Sequence, residues 1–178
     1  MTDKELMQKV HSGDKKSLEI VIDRYYADVY RFCFYMTREE YDAYDLTQEA
    51  FLKFMKYGSS YQHNNLKGYL LTIARNVCFD YFRSRKETFQ LCEQEKIEDI
   101  PIIRDKYQEL EVSIWLEEML GKLSDEMREV IIFRIYEELK FKDIAKIVGC
   151  SISTTKSRFR LGVKYLKKMM EDEGYENK

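Results

Sequence analysis

The sequence contains very few residues that interrupt regular structure, with one proline and seven glycines among 178 residues. An all-β sandwich needs a tight turn between most of its strands, so this scarcity argues against that class. No apolar run approaches the ~18 residues of a membrane span, and residues 1–10 are too polar for a secretory signal peptide. The sequence therefore predicts a mainly helical, soluble protein of the cytoplasm.

Cysteine and histidine are scarce as well. The four cysteines lie far apart without any C-x-x-C pair, and neither histidine lies near them in sequence. Because a zinc site needs clustered ligands, we expect no metal site, and no motif implies a cofactor. Cys33, Cys78 and Cys150 fall in apolar helical patterns and are predicted to be small core residues, whereas Cys92 falls in a polar segment.

Hydrophobic residues, by contrast, are plentiful: they make up 44% of the chain, which includes 14 tyrosines and 10 phenylalanines. This is enough for a packed core in one domain or in two small ones. The net charge of −2 hides an uneven distribution. Residues 1–60 carry a net −2, residues 61–91 carry +3, residues 92–127 carry −7 and residues 128–178 carry +4. This asymmetry is a better guide to partners than the total charge.

Apolar residues recur at steps of three and four along much of the chain, a spacing that predicts helices. Asp14 is a suitable N-cap for the first helix, and two more are predicted over residues 43–57 and 66–85, which together would form a bundle. Residues 87–109 are polar and acidic and contain Pro101, so they are the best linker candidate. Beyond the linker, helices are predicted over residues 112–120, after Ser124, over 142–148 and over 152–170.

Residues 141–158 have the pattern of a helix-turn-helix. Ala145 is small where two steeply crossed helices would touch, Gly149 can adopt positive φ in the turn, and Ser151 is a suitable N-cap for the second helix. The residues that would face inward are Ile144, Val148 and Ile152. Two positions deviate: Lys140 stands where Ser or Thr is expected, and Thr155 stands where an apolar residue usually packs.

The second helix of this motif carries charge of one sign only. Between residues 152 and 170 there are six basic residues and no acidic one: Lys156, Arg158, Arg160, Lys164, Lys167 and Lys168. This pattern favours a DNA contact in the major groove over a merely solvated face. The predicted fold class is therefore all-α, with two small helical domains, an N-terminal helix bundle and a C-terminal helix-turn-helix bundle, joined by an acidic linker.

The predicted third helix is also basic, and Asn76, Asp80 and Arg83 share one of its faces. Melted DNA binds where cations neutralise phosphates and aromatic rings stack on bases. The basic and aromatic residues of this region are Tyr61, Tyr69, Arg75, Arg83, Arg85 and Lys86. An aromatic stripe on a helix is more often core, so Phe79 and Tyr81 are assigned to packing.

Three carboxylates, Asp42, Asp45 and Glu49, lie on one face of the predicted second helix, with Gln48 beside them. Paired carboxylates are catalytic in some enzymes, but catalysis needs a pocket, a shifted pKa and usually a partner base. An all-helical chain without a histidine nearby offers little of that. A protein-binding acidic face is therefore favoured over an enzyme site, and a solvated face is the simpler alternative.

Together, the three segments resemble a known family. Residues 42–51 are similar to the core-polymerase-binding helix of bacterial sigma factors, and residues 68–76, followed by Asp80 and Arg83, resemble their promoter minus-ten helix. Residues 123–158 resemble their minus-thirty-five domain. The order and spacing are those of the short, two-domain sigma factors of extracytoplasmic-function (ECF) type. The implied domains are sigma region 2 over residues 1–88, an acidic linker over 89–110 and sigma region 4 over 111–178.

The resemblance implies a non-enzymatic subunit that binds core RNA polymerase and directs promoter-specific initiation of transcription. The implied core-binding residues are Asp42, Asp45, Gln48 and Glu49. The implied minus-ten DNA contacts are Tyr69, Arg75, Asn76, Asp80 and Arg83. The implied minus-thirty-five DNA contacts are Ser153, Thr154, Lys156, Ser157, Arg158 and Arg160.

The implied partners are the β′ and β subunits of core RNA polymerase and promoter DNA. An anti-sigma factor, commonly membrane-bound in this family, is a further candidate partner, and the chain is expected to be a monomer without them. The acidic linker would pass toward the RNA exit path. Two positions depart from the family: Tyr69 replaces a tryptophan, and Gly162 predicts that the far end of the last helix frays or bends.

The main alternative is a stand-alone helix-turn-helix transcriptional regulator, which the C-terminal half alone would allow. Such a protein binds DNA without polymerase, usually as a dimer on repeated half-sites.

Overall fold

The computed structural model describes residues 1–58, 61, 65–91 and 116–172, and all the regular elements in these ranges are helical. The N-terminal part contains α1 (Asp3–His11), α2 (Lys15–Thr37), α3 (Glu40–Tyr57) and α4 (Leu66–Leu91). In the C-terminal part, residues 116–121 are helical (α5), and α6 (Asp125–Ile131), a π-helical turn (Ile132–Tyr136), α7 (Phe141–Val148) and α8 (Ile152–Asp172) follow. The all-α prediction is confirmed.

The structure differs from the sequence prediction in one additional helix and in the end of another helix. Helix α1 was not predicted; Thr2 and Glu5 form a capping box at its start, a local signal that the apolar pattern does not contain. Helix α4 continues to Leu91, into the beginning of the segment predicted to be a linker. Residues 92–115, which hold most of that linker and Cys92, lie outside the described residues.

The predicted helix ends are confirmed at four positions. The side chains of Asp14, Ser124 and Ser151 accept hydrogen bonds from backbone amides in the turns that follow them. Gly149 has φ 71°, the left-handed conformation that the helix-turn-helix requires between α7 and α8. Lys140 provides no side-chain cap, as its residue type led us to expect. The helix-turn-helix is therefore encoded by its turn and by the cap of its second helix.

The two helical domains pack against each other. Helices α2, α3 and α4 form the N-terminal bundle, in which Cys33 and Cys78 are fully buried with their sulfur atoms 3.8 Å apart. The apolar core continues into the C-terminal domain, where Phe133 stacks on Phe32 with ring centroids 4.6 Å apart. This interface between domains was not predicted from the sequence.

Helix α8 continues through Gly162 to Asp172, so its far end does not fray at this glycine as expected. Gly162 is buried where α8 crosses α6, and a Cβ atom there would lie 2.6 Å from Cδ1 of Ile131. The missing side chain permits the close approach of the two helices, and packing compensates for the low helix propensity of glycine.

None of the described helices is both long and apolar enough to cross a membrane.

Candidate DNA-binding and protein-binding surfaces

The outer face of α3 combines polar and apolar side chains. Asp45, Gln48 and Glu49, predicted to bind a protein, are all exposed on it. Five large apolar residues of α3 are exposed, and four of them share this face, with exposures of 83%, 52%, 60% and 46%: Tyr41, Tyr44, Leu52 and Met55. Exposed apolar patches rimmed by polar groups are typical of protein-docking sites. The sequence analysis missed this apolar component, although its spacing of three, eight and three residues places it on one helical face.

Asp42 differs from the other predicted members of this face. Its carboxylate accepts a 2.5 Å hydrogen bond from the Tyr81 hydroxyl and lies 3.5 Å from the guanidinium of Arg85, both on α4. Burial and the neighbouring carboxylate raise the pKa of Tyr81 to about 12, so the hydroxyl remains a donor at neutral pH. Asp42 therefore connects α3 to α4 through these two contacts.

The predicted minus-ten residues divide into two groups. Asn76, Asp80 and Arg83 are exposed on one face of α4, with Arg83 72% exposed. Tyr69, in contrast, is only partly exposed and packs on Tyr61, with ring centroids 4.9 Å apart. The ring of Tyr69 thus packs against the N-terminal helix bundle at the start of α4.

Arg75, the fifth member of that set, points toward the C-terminal domain. Its Nε lies 2.5 Å from Oε2 of Glu129, and its Nη2 donates a 3.2 Å hydrogen bond to Oε1 of the same carboxylate. The guanidinium also lies over the ring of Phe79, 4.4 Å from its centroid. The side chain of Arg75 is 18% exposed and that of Glu129 is fully buried, so this is a largely desolvated ion pair.

The predicted minus-thirty-five residues lie in the first turns of α8. Five of the six are exposed: Ser153, Thr154, Lys156, Ser157 and Arg160. Arg158 is partly buried, and its Nη1 lies 3.9 Å from Oε1 of Glu129. Thr155 is fully buried, and its hydroxyl donates a 2.9 Å hydrogen bond to the Ser151 carbonyl, which explains how a polar residue fits at this packing position.

A second buried carboxylate, Glu137, lies at the same domain interface. It forms 2.8 Å ion pairs with Arg31 of α2 and Lys67 of α4. Glu129 and Glu137 were not predicted to be interface residues. The sequence signal that could have identified them is an acidic residue within or next to a run of apolar residues. An acid at such a position is expected to be buried, and a fully buried acid is usually paired with a basic residue.

Arg128 anchors the end of α2 to the C-terminal domain. Its guanidinium donates hydrogen bonds to the carbonyls of Leu120, Gly121, Leu123 and Met36. Met36 belongs to α2, whereas the other three carbonyls belong to the segment that precedes α6. This residue lies in the segment that resembles sigma region 4, but its role here is structural.

These surfaces define a class of protein: a two-domain helical adaptor with a helix-turn-helix, a second candidate DNA-facing helix and a candidate protein-docking face. The sigma-70 region 2 family model matches residues 21–88, and the sigma-70 region 4 model matches residues 113–166. The RNA polymerase sigma factor YlaC of Bacillus subtilis is 31% identical over 159 residues, which cover 84% of this chain and 91% of YlaC.

Two further relatives agree. The ECF RNA polymerase sigma factor SigW of Bacillus subtilis is 26% identical over 181 residues, which cover 95% of this chain and 97% of SigW. The sigma factor RpoE of Bartonella quintana, solved in complex with the anti-sigma factor NepR, has a TM-score of 0.74 and 28% identity, covering 88% of this chain and 96% of RpoE.

The chain belongs to the sigma-70 family and is a sigma factor of the ECF type. It binds core RNA polymerase and directs transcription initiation at promoters. The stand-alone regulator is therefore not favoured, because a region 2 domain precedes the helix-turn-helix. Members of this family are known as non-enzymatic regulators.

Proposed function

We propose that the chain is a non-catalytic, cytoplasmic subunit that acts in transcription initiation. Its two functional domains are residues 1–88 and residues 111–178, and residues 89–110 connect them. The outer face of α3 binds core polymerase, the exposed face of α4 contacts the minus-ten element, and the first turns of α8 contact the minus-thirty-five element. The observation that carries this proposal is the separation of the surfaces: the docking face on α3 is distinct from the basic face of α8.

The core contact is proposed on the combined polar and apolar face of α3. Asp45, Gln48 and Glu49 supply polar groups, and the exposed Tyr44 and Leu52 supply apolar area that is stabilised when covered. Asp42 acts indirectly, because its carboxylate holds Tyr81 and Arg85 of α4.

The DNA contacts are proposed on two helices. On α8, exposed Lys156 and Arg160 suit phosphate and base contacts in the major groove, and Ser153 suits a phosphate contact. On α4, Asn76 and Arg83 face outward, whereas Arg75 must leave Glu129 before it can reach DNA.

An anti-sigma factor is also proposed as a partner. RpoE of Bartonella quintana is bound to one in its solved structure, and it covers most of this chain. The proposal rests on that similarity alone.

Gel filtration with core RNA polymerase tests the proposed core contact. Wild-type chain should co-elute with core, and a second sigma factor should displace it. The double variant Asp45→Ala with Gln48→Ala should co-elute less. The matched control is Asp23→Ala with Gln8→Ala, which removes the same two residue types from exposed positions outside α3. Equal loss in both variants would exclude α3 as the specific contact.

A further inference from the structure

Helix α8 exposes an apolar side chain within its basic face. Leu161 is 46% exposed, although its neighbour Gly162 is buried against α6. Residues three or four positions apart are neighbours on a helix surface, so Leu161 lies between Ser157 and Lys164, which are both exposed. An aliphatic side chain is therefore open to a partner among polar and cationic groups.

The position of Leu161 places it on the proposed DNA-facing side of α8. Successive residues of a helix point about 100° apart, so Leu161 lies about 120° around the axis from the fully buried Thr155 but only about 40° from Ser157. Leu161 is nine residues beyond Ile152, the first residue of α8, a distance of ~14 Å along the axis. The major groove is about 12 Å wide, so a helix that enters it with its first turns can bring Leu161 to the base edges.

A second exposed apolar residue of α8 provides a comparison. Ile152 is 47% exposed, although the sequence analysis expected it to face inward. Nine residues correspond to about two and a half turns, so Ile152 and Leu161 point to opposite sides of the helix. The two side chains have the same exposure and similar chemistry, but only Leu161 shares the side of Ser157 and Lys164.

The cations around Leu161 favour DNA as the molecule that covers it. Arg160 and Lys164 are exposed and attract phosphate groups, whereas lysine is depleted in protein–protein interfaces. The base edges in the major groove present hydrogen-bond donors and acceptors, which an aliphatic side chain cannot pair with, and one apolar group, the C5 methyl of thymine. Packing of Leu161 on that methyl removes apolar surface of both groups from water, which is favourable.

We propose that Leu161 is a specificity-determining residue, which selects a thymine in the minus-thirty-five element by packing against its C5 methyl group. The proposal rests on the proposed function, because it takes α8 as the helix that contacts this element. Lys156 and Arg160 pair with charged and hydrogen-bonding groups, so Leu161 adds a base preference that they do not supply.

Removal of the thymine methyl tests this contact. A duplex is first selected from a randomised library by the full chain bound to core polymerase. Each thymine of its minus-thirty-five element is then replaced by deoxyuridine, which keeps every hydrogen-bonding group of thymine and lacks only the methyl. One replacement should weaken binding of the wild-type chain about fourfold, the change expected when burial of one methyl group is lost. Binding is measured by competition against the unmodified duplex at fixed salt.

Variants of α8 connect this effect to Leu161. Leu161→Ala should bind the thymine and deoxyuridine duplexes equally well at that position, whereas Leu161→Met keeps a large apolar side chain and should retain most of the discrimination. Ile152→Ala is the matched control, because it shortens an equally exposed apolar side chain on the other side of the same helix. This control should keep the full fourfold discrimination. Alanine and methionine are good helix formers, so both Leu161 variants should fold, which circular dichroism checks.

The proposal is overturned if no replacement weakens binding of the wild-type chain, or if Leu161→Ala discriminates as strongly as wild type. It is also overturned if Leu161→Ala reduces co-elution with core polymerase in the absence of DNA, because Leu161 would then contact protein. Failure of the proposed function gives a different result: Lys156→Ala and Arg160→Ala would then bind the selected duplex as tightly as wild type.

Discussion

Helices α4 and α8 both carry arginines that the sequence predicts to bind DNA, but the side chains of these arginines have different surroundings in the structure. On α8, Arg160 and Lys156 are exposed, and Arg158 only approaches Glu129 at 3.9 Å. On α4, Arg75 forms a largely desolvated ion pair with Glu129. The exposed α8 surface is thus accessible in this structure, whereas part of the α4 surface is not.

The difference shows that a basic side chain on a helix is directly available to a partner only when it is not held in a buried ion pair with an acid of the same chain. Arg75 and Asn76 are neighbours in sequence, but one faces the C-terminal domain and the other is exposed. Their roles diverge because adjacent residues on a helix point about 100° apart.

The largest expected effect comes from removing the buried arginine that anchors the domain interface. Arg128→Ala would leave four carbonyls without their guanidinium donor, and we expect the free energy of unfolding to fall by ~3 kcal/mol or more. Urea unfolding followed by circular dichroism measures the change. Arg160→Ala on exposed α8 is the control and should remain within about 0.5 kcal/mol of wild type. Equal effects would contradict the distinction between structural and partner-facing arginines.

The next effect concerns the inner side of α8, where Gly162 meets α6. Gly162→Ala would place a Cβ atom 2.6 Å from Cδ1 of Ile131, and we expect a net loss of ~1 kcal/mol after the gain in helix propensity. Ile131→Val removes that methyl group, so the double variant should be more stable than the sum of the two single effects predicts. Thermal unfolding of the four proteins measures this coupling, and strict additivity would mean that the two groups do not collide.

The sequence predicts most of the local structure here, because caps, apolar spacing and the Gly149 turn are short-range signals. It does not predict the pairing of Glu129 with Arg75 or of Glu137 with Arg31, since these pairs join residues 54 and 106 positions apart. It also misassigns Gly162, because the compensation by packing against Ile131 is a tertiary effect. The assignment of α4 and α8 residues to promoter elements stays a prediction, and the packing of the domains is new information from the structure.

A smaller effect is expected when the exposed α8 cations are removed. Lys156→Ala and Arg160→Ala should each reduce the slope of log binding constant against log salt by ~0.9 if each neutralises one phosphate. The measurement is binding of the polymerase-bound chain to a promoter that carries a minus-thirty-five element, between 50 and 200 mM salt. Lys4→Ala, on an exposed position of α1, should leave the slope unchanged. An unchanged slope in the α8 variants would remove these residues from the phosphate contact.

The smallest expected effect is the pH dependence of stability that comes from Glu129, the carboxylate that lies near arginines of both α4 and α8. Burial raises the pKa of Glu129 above its ordinary value, and the opposing influence of Arg75 and Arg158 only partly offsets it. The folded chain therefore binds this proton more tightly than the unfolded chain does. Its contribution to stability is fully present below the ordinary value of 4.5 and is lost as the pH rises through the raised value.

Urea unfolding of wild type and Glu129→Gln over a pH series isolates this contribution, because glutamine does not titrate. The stability of wild type relative to the variant should decline as the pH rises from about 4.5 and then level off. A relative stability that increases with pH would mean that attraction to Arg75 exceeds the cost of burial. The expected sign would show that the attraction of Arg75 and Arg158 does not fully offset the cost of burying the Glu129 carboxylate.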